Sequence, residues 1–542
     1  MRETLSAAAG RLRARIESFL PPSAFLPAAE PEKLRRFLTV LLCAWGAVWF
    51  VAPLLALDNV FIDVPENIIW GSYFQFGYDK NPYLGAWIGY LGSLLTGNSL
   101  WNSYLLSQVF VITGLWAVWR LSLRMTSPAG AFLAVIFLLG VNFYGIKSVE
   151  LCDDVMELGF WPLLIWSFYC SLRDGNRIGS WLLTGFLAGC CFMIKYYGAV
   201  LFVSMFVVML ATPEGRRAFR RPGPYLGAVL FAVMCLPNLI WLGGNDMVAF
   251  RYAFDRAALD DGAPAFAFTY ERLLKYPLRS FTRTLSVLIV PLIPFFLLFF
   301  RRDDAMPSGR FDRRFVAILA WGPFILTLLF SVVSGGSINY SWVVPCFPLL
   351  GLFFVLWFKP YINAFSLRAF TGFILLLGVV FVTIFVVRSL WQQPYLKRGC
   401  DYENFPGKAL AARLTAEWRR QYAVPLPFVI GDRRESCNIA VYSTDRPEAY
   451  FSANPNFSQW IDENEIREKG ALILFDGRKK RRPKWLGRLA EAGFAMTPEI
   501  RIEEERAVPG WFRALAGAPK SDSYVYCFIP PQAGAGAEPA RP

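Results

Sequence analysis

Apolar runs of membrane-crossing length recur from about residue 37 to residue 388, each closed by a short polar break. A helix needs roughly 20 apolar residues to cross the hydrocarbon core. Runs such as GAVLFVSMFVVML do not alternate as the strands of a closed barrel must. The pattern predicts spans near 37–57, 101–122, 127–146, 155–172, 178–194, 197–212, 224–243, 280–300, 315–334, 340–357 and 367–388. The apolar run YLGAWIGYLGSLL (83–95) is short. If it crossed, the next span would carry Arg120 and Arg124 outward. Laid flat on the outer surface, it leaves them inside, so residues 60–97 read as one external loop with juxtamembrane helices.

Past Arg388 the periodicity changes. GKALAARLTAEWRRQY and PKWLGRLAEAG read as amphipathic helices, and PFVIGD and ALILFD as short buried strands. The division is a cytosolic segment over 1–36 with a surface helix around LRARIESFL, a transmembrane domain over 37–390, an extracytoplasmic α/β domain over 394–530 and a flexible tail over 531–542. The fold class is an α-helical polytopic membrane protein with a small C-terminal α/β domain.

Composition agrees: 55% of the 542 residues are hydrophobic and 18% charged. The net charge of +14 does not point to nucleic acid. Its arginines cluster in alternate loops (Arg120 and Arg124; Arg173 and Arg177; Arg216, Arg217, Arg220 and Arg221; Arg301 to Arg314), the positive-inside pattern. An odd span count with the N-terminus inside puts the C-terminal domain outside, in the periplasm of a bacterial inner membrane. The tract RKKRRPKW (478–485) reads as a solvated or headgroup-facing loop. Of ten cysteines, seven sit in or beside spans and read as packing residues. Cys400, Cys437 and Cys527 lie in the outer domain, where a Cys400–Cys437 disulfide is the favoured pairing, though spacing does not fix it. There is no histidine. A zinc site is therefore not expected, no cofactor is implied, and a divalent-metal requirement stays open.

Four outer segments carry the charged residues. The first holds Asp63, Glu66, Asp79 and Lys80; the second Lys147, Glu150, Asp153 and Asp154; the third Lys195, Tyr196 and Tyr197; the fourth, over 244–279, Asn245, Asp246, Arg251, Arg256, Glu271, Arg272 and Lys275. Ionisable groups at membrane depth are costly and mark function by default. A carboxylate can take a proton from an attacking hydroxyl, and lysine or arginine can hold phosphate oxygens as a bond breaks. This set suits transfer of a group from a lipid phosphate.

Structural readings compete with these roles. Asp63 could cap the helix that starts near Pro65. Lys80 could be a snorkelling lysine, and Glu150 reads as solvated. Tyr197 reads as an interfacial aromatic as readily as a sugar contact, and Arg251 as a loop salt-bridge partner.

The run DVPENIIWGSYFQFGYDKNPYLGAW resembles the first external loop of family 39 and related membrane glycosyltransferases, which include protein O-mannosyltransferases and lipid A aminoarabinose transferases. IKYYGAVLF is similar to that family's lysine-containing turn, and RPGPYLGAVLFAVMCLPNLIWLGGNDMVAFRYAF to one of its spans and loops. The resemblance covers roughly residues 35–300. It implies a GT-C fold, a polyprenyl-phosphate-linked sugar donor and inverting transfer to a lipid A or lipopolysaccharide, other glycan or lipid, or protein acceptor outside the cytosol. It makes Asp63 the base, Lys80 and Lys195 the ligands of the donor phosphate, and Asp153 or Asp154 the second acid. Glu66, Tyr197, Asn245 and Arg251 are further candidates for substrate contact. Asn81, Asn238 and Asn245 stand where many relatives have histidine, and asparagine cannot titrate. The alternative is a transporter or flippase of lipid-linked sugars, which inverted repeats would favour; the sequence shows no internal symmetry.

Overall fold

The computed structural model describes residues 31–532 except 98, 175–176, 253–273, 307, 335–339 and 480. The expected surface helix around LRARIESFL, the tail from 533 onward, and Arg256, Glu271 and Arg272 lie outside the described residues.

Each of the eleven predicted segments carries a helix. Seven described helices are long and apolar enough to cross a membrane alone: Pro31–Ala56, Asn102–Ser122, Asp153–Arg173, Gly223–Gly244, Pro277–Leu298, Arg310–Val333 and Ala364–Leu396. Pro128–Leu139 and Asn142–Val149 make a further span broken by an 81° bend. The remaining apolar helices, Ile178–Ile194, Tyr196–Ala211 and Trp342–Phe358, are shorter. Leu84–Leu95 has only 12 residues. At a 1.5 Å rise it is about 18 Å long, too short to cross. It packs on the helix Asp63–Ser72.

Small residues let the spans approach. A Cβ on Gly114 would lie 1.9 Å from the carbonyl oxygen of Leu158, so helices Asn102–Ser122 and Asp153–Arg173 touch backbone to backbone there. We expect Gly114→Ala to force these helices apart at a cost of about 1–3 kcal/mol. Thermal unfolding in detergent would register it as a lowered midpoint, and an unchanged midpoint would contradict this contact.

The basic loops gather at one end of the bundle. Arg124 pairs with Asp174, and Arg173 lies 3.8 Å from Glu214. Asp153 and Asp154 begin the helix that Arg173 ends, so they lie at the opposite end.

The C-terminal domain caps that opposite end. Its helix Gly407–Tyr422 has the predicted bounds. Strands β1 (Phe428–Gly431), β2 (Glu448–Phe451), β3 (Ala471–Asp476), β4 (Ile500–Glu505) and β5 (Ser521–Ile529) form one sheet in the order β2-β1-β3-β5-β4. β1 runs parallel to both β2 and β3, while β5 is antiparallel to β3 and β4. Three residues of the basic tract form ion pairs: Arg478 with Asp476 and Asp522, Lys479 with Asp432, and Arg482 with Glu499. The expected Cys400–Cys437 disulfide is not formed. Both thiols are free and buried, and Cys400 donates to the Asp401 carbonyl at 3.2 Å.

The domain is fastened to the loop before Asp63. Asn59, 2% exposed, donates to the carbonyls of Tyr402 and Phe405 and to Asn438 Oδ1, and accepts from Tyr442 Oη at 2.7 Å. Lys408 pairs with Asp58 at 2.9 Å, and Trp511 Nε1 donates to the Leu55 carbonyl at 3.0 Å.

Candidate functional site

Asp63 opens the helix Asp63–Ser72. It does not cap it: the residue before it, Ile62, is already helical, and no side-chain capping bond is made. The carboxylate turns instead toward Lys80, whose Nζ is 3.6 Å from Asp63 Oδ1 and 2.5 Å from Glu66 Oε2. Asp63 and Glu66 share a face because three residues nearly complete a helical turn. Lys80 comes from a tight loop, closed by a bridge between Gly77 and Pro82 and by Tyr78 N donating to the Asn81 carbonyl at 2.9 Å. The Lys80 side chain is only 19% exposed and lies 5.2 Å over the Trp70 ring, so it is a buried ion-pair partner and does not snorkel. Burial works against its charge, but Glu66 and Asp63 outweigh this and raise its pKa.

Glu66 and Asp79 are 1% and 0% exposed, and one guanidinium from the C-terminal domain spans them. Arg433 Nη1 donates to Glu66 and Nη2 to Asp79. Burial opposes the Arg433 charge, but these two carboxylates raise its pKa.

Asp153 accepts from Asn81 Nδ2 at 2.5 Å. Gly85 makes room for it, since a Cβ there would lie 2.6 Å from Asp153 Oδ1. Asp154 pairs with Lys195, which sits at the break between helices Ile178–Ile194 and Ala199–Ala211. Burial again opposes the lysine charge, and Asp154, Glu157 and Asp153 raise its pKa. Asp153 thus touches the Lys80 loop through Asn81 and adjoins Asp154, which links the two lysine–carboxylate pairs into one constellation.

Besides Arg433, two participants escape sequence reasoning. Glu150 is half-buried, not solvated, because the 81° bend folds residues 142–149 back toward the site. Gln108 Nε2 holds the Ser148 carbonyl at 3.0 Å and fixes that turn. Burial, then the charge of Asp63 and a hydrogen bond to it, push Glu150 up to about 8. In its protonated form the Glu150 hydroxyl donates a hydrogen bond to Asp63. Glu157, one turn after Asp153 and Asp154, is fully buried, with no hydrogen bond of normal geometry to either carboxylate oxygen. Lys195 and Asp154 are its charged neighbours. An acidic residue within an apolar span was the available signal, since EL in DDVMELGFW breaks the run.

The remaining candidates take other partners. Tyr197 Oη bonds Thr327 Oγ1 at 2.5 Å, lies 3.2 Å from Cys346 Sγ, and its ring stacks on Trp161 at 6.0 Å. Asn245 Nδ2 donates to the Trp241 carbonyl at 2.8 Å, and exposed Arg251 lies 3.9 Å from Asp246. Asn238 takes a supporting position: it accepts from Tyr196 Oη at 2.9 Å and donates to the Phe76 carbonyl at 2.6 Å, tying the Lys80 loop to helix Gly223–Gly244.

The raised Glu150 predicts a pH effect. It stays protonated below about 8 and ionises above, losing its hydrogen bond to Asp63 and adding a second negative charge there. A carboxyl raised on folding contributes stability fully only below its ordinary range, and that contribution is lost as pH rises toward about 8. Activity should therefore fall as pH rises through about 8, and Glu150→Gln, whose amide always donates, should flatten that limb. A pH–rate profile of both proteins checks this; an identical alkaline limb in the variant would exclude Glu150 as its source.

Residues 80–241 match the family model described as dolichyl-phosphate-mannose-protein mannosyltransferase. The lipopolysaccharide core galacturonosyltransferase RgtA of Rhizobium johnstonii is 24% identical over 329 residues, 58% of this chain and 63% of that protein. The match thus spans a little under two thirds of this curated relative's length. The fold is similar to that of ArnT from Cupriavidus metallidurans bound to undecaprenyl phosphate, with a TM-score of 0.58 and 13% identity over 92% of this chain and 99% of that one. Against ArnT in the apo state the TM-score is 0.57, over 91% and 98%. Residues 80–241 are thus similar to the mannosyltransferase family model, the wider chain is similar in sequence to RgtA, and the fold is similar to that of ArnT.

Proposed function

We propose that this protein transfers a sugar from a polyprenyl-phosphate donor to an envelope acceptor on the periplasmic face, with inversion at the anomeric carbon. Asp63 takes the proton of an acceptor hydroxyl. The oxygen attacks the anomeric carbon, the bond from that carbon to the phosphate oxygen breaks, and polyprenyl phosphate leaves with the electron pair. Lys80 and Lys195 hold the phosphate and neutralise its growing charge. Asp153 and Asp154 hold the lysine pairs in place, and protonated Glu150 orients Asp63.

The observation that carries this reading is the joining of Asp63, Lys80, Lys195 and the Asp153–Asp154 pair in one half-buried constellation at the end of the bundle away from the basic loops. The positive-inside rule assigns that end to the periplasm. ArnT binds undecaprenyl phosphate, and RgtA is named for lipopolysaccharide core galacturonosyl transfer. A lipid-linked uronic acid donor and a lipopolysaccharide acceptor are therefore the first pair to assay.

The test uses purified protein in lipid nanodiscs with labelled polyprenyl-phosphate galacturonate and lipopolysaccharide core, and a parallel proteoliposome assay for movement of the donor. Label in a new glycosidic bond supports the reading. Translocation without product, across a panel of donor sugars, would favour a transporter.

A further inference from the structure

The C-terminal domain does more than cover the site. Its parallel strands β1 and β2 end toward the membrane domain, and the helix Arg433–Tyr442 that follows β1 packs on the helix Asp63–Ser72. A crevice at the carboxyl ends of parallel strands is where open α/β sheets place functional groups. Arg433, the first residue of that helix, is seated there among three rings: its guanidinium is 5.5 Å from Trp70, 4.9 Å from Phe451 and 5.5 Å from Phe457. Rings on several sides fix a planar cation and limit its choice of partner.

The charge balance gives this placement a consequence. Two fully buried carboxylates, Glu66 and Asp79, need counter-charge. Glu66 has two cations, Arg433 on Oε1 and Lys80 on Oε2. If Arg433 were absent, Lys80 would be the remaining cation paired with Glu66, and it could not turn to a phosphate without leaving a buried charge bare. With Arg433 in place, Glu66 keeps a cation on Oε1 when Lys80 leaves Oε2.

We propose that Arg433 is a positioning residue: by pairing with Glu66 and Asp79 it frees the Lys80 ammonium for the phosphate of the lipid donor. The C-terminal domain is then a working part of the site, and separating it from the membrane domain would weaken donor binding. This rests on the reading of Lys80 as a phosphate ligand.

The experiment measures binding of undecaprenyl phosphate, without any sugar, to the purified full chain in nanodiscs. Four proteins are compared: wild type, Arg433→Ala, Arg433→Gln, and Arg433→Gln combined with Glu66→Gln. Arg433→Gln keeps a hydrogen-bonding side chain and removes the charge, so it serves if the alanine variant does not fold. Both single variants should bind roughly tenfold or more weakly. The double variant should recover most of that loss, because Lys80 no longer has a bare Glu66 to hold; burial already raises the pKa of Asp79. A merely structural role would not be rescued by deleting a second partner. Wild-type affinity in folded Arg433→Gln, or a double variant as weak as the single, overturns the proposal and leaves the functional reading standing. Failure of wild type to bind undecaprenyl phosphate overturns the functional reading and this proposal with it.

Discussion

Asp63→Asn is expected to lower transfer by about 10²–10⁴-fold, the usual contribution of a positioned general base, with little change in undecaprenyl phosphate binding. The substitution keeps size and one acceptor oxygen but removes the group that can take a proton. Its neighbours should hold their places. Lys80 keeps its 2.5 Å contact with Glu66, and the helix that begins at Asp63 loses no capping bond, because none is made. Fold and phosphate binding should therefore survive while turnover does not. Single-turnover kinetics with saturating donor separate the two. Wild-type turnover in Asp63→Asn would remove Asp63 from the chemistry; lost donor binding with intact chemistry would make it a binding residue.

Lys80→Met should lower kcat/KM for the donor by roughly 10²–10³-fold, the scale of removing one preorganised donor to a developing oxyanion. Methionine preserves the stem's packing over Trp70. Arg433 continues to pair with Glu66, so the fold should be largely retained and the loss should appear in donor kinetics. Lys80→Arg should not restore activity. Its planar fork needs more room and different geometry than a point charge, and a guanidinium already occupies the other side of Glu66. Steady-state kinetics with varied donor, beside thermal melts of each variant, check this. A Lys80→Met enzyme with normal donor kinetics would exclude Lys80 from phosphate binding.

Much of the scaffold was legible from hydropathy and charge. That residues 83–95 do not cross was read from loop arginines, and the helix Leu84–Leu95 has only 12 residues. The helix Gly407–Tyr422 followed from its amphipathic spacing. Asp63, Glu66, Asp79 and Lys80 were legible as a candidate cluster because charge beside a membrane is costly, and the structure brings them together.

What stayed hidden was partnership. Arg433 meets Glu66 across 367 positions of sequence, and a contact of that range leaves no periodic trace. Glu150 looked like a solvated loop residue because nothing local announces the 81° bend that turns it onto Asp63. Asp153 and Asp154 are adjacent in sequence but point to different partners, Asn81 and Lys195, as successive helical positions do. Tyr197 lies in a motif-like turn, yet its hydroxyl is taken up by Thr327 and Cys346, which only packing against later helices could reveal. Cys400 and Cys437 looked pairable by location alone, and thiol geometry is set by the folded domain.

The central claim is that one lipid phosphate sits between Lys80 and Lys195 with Asp63 facing the sugar. An experimental structure of the protein with undecaprenyl phosphate tests it directly. The phosphate should lie within hydrogen-bond distance of both Nζ atoms, with Arg433 still bridging Glu66 and Asp79. A phosphate bound elsewhere, with Lys80 still on Glu66 and Lys195 still on Asp154, would contradict it.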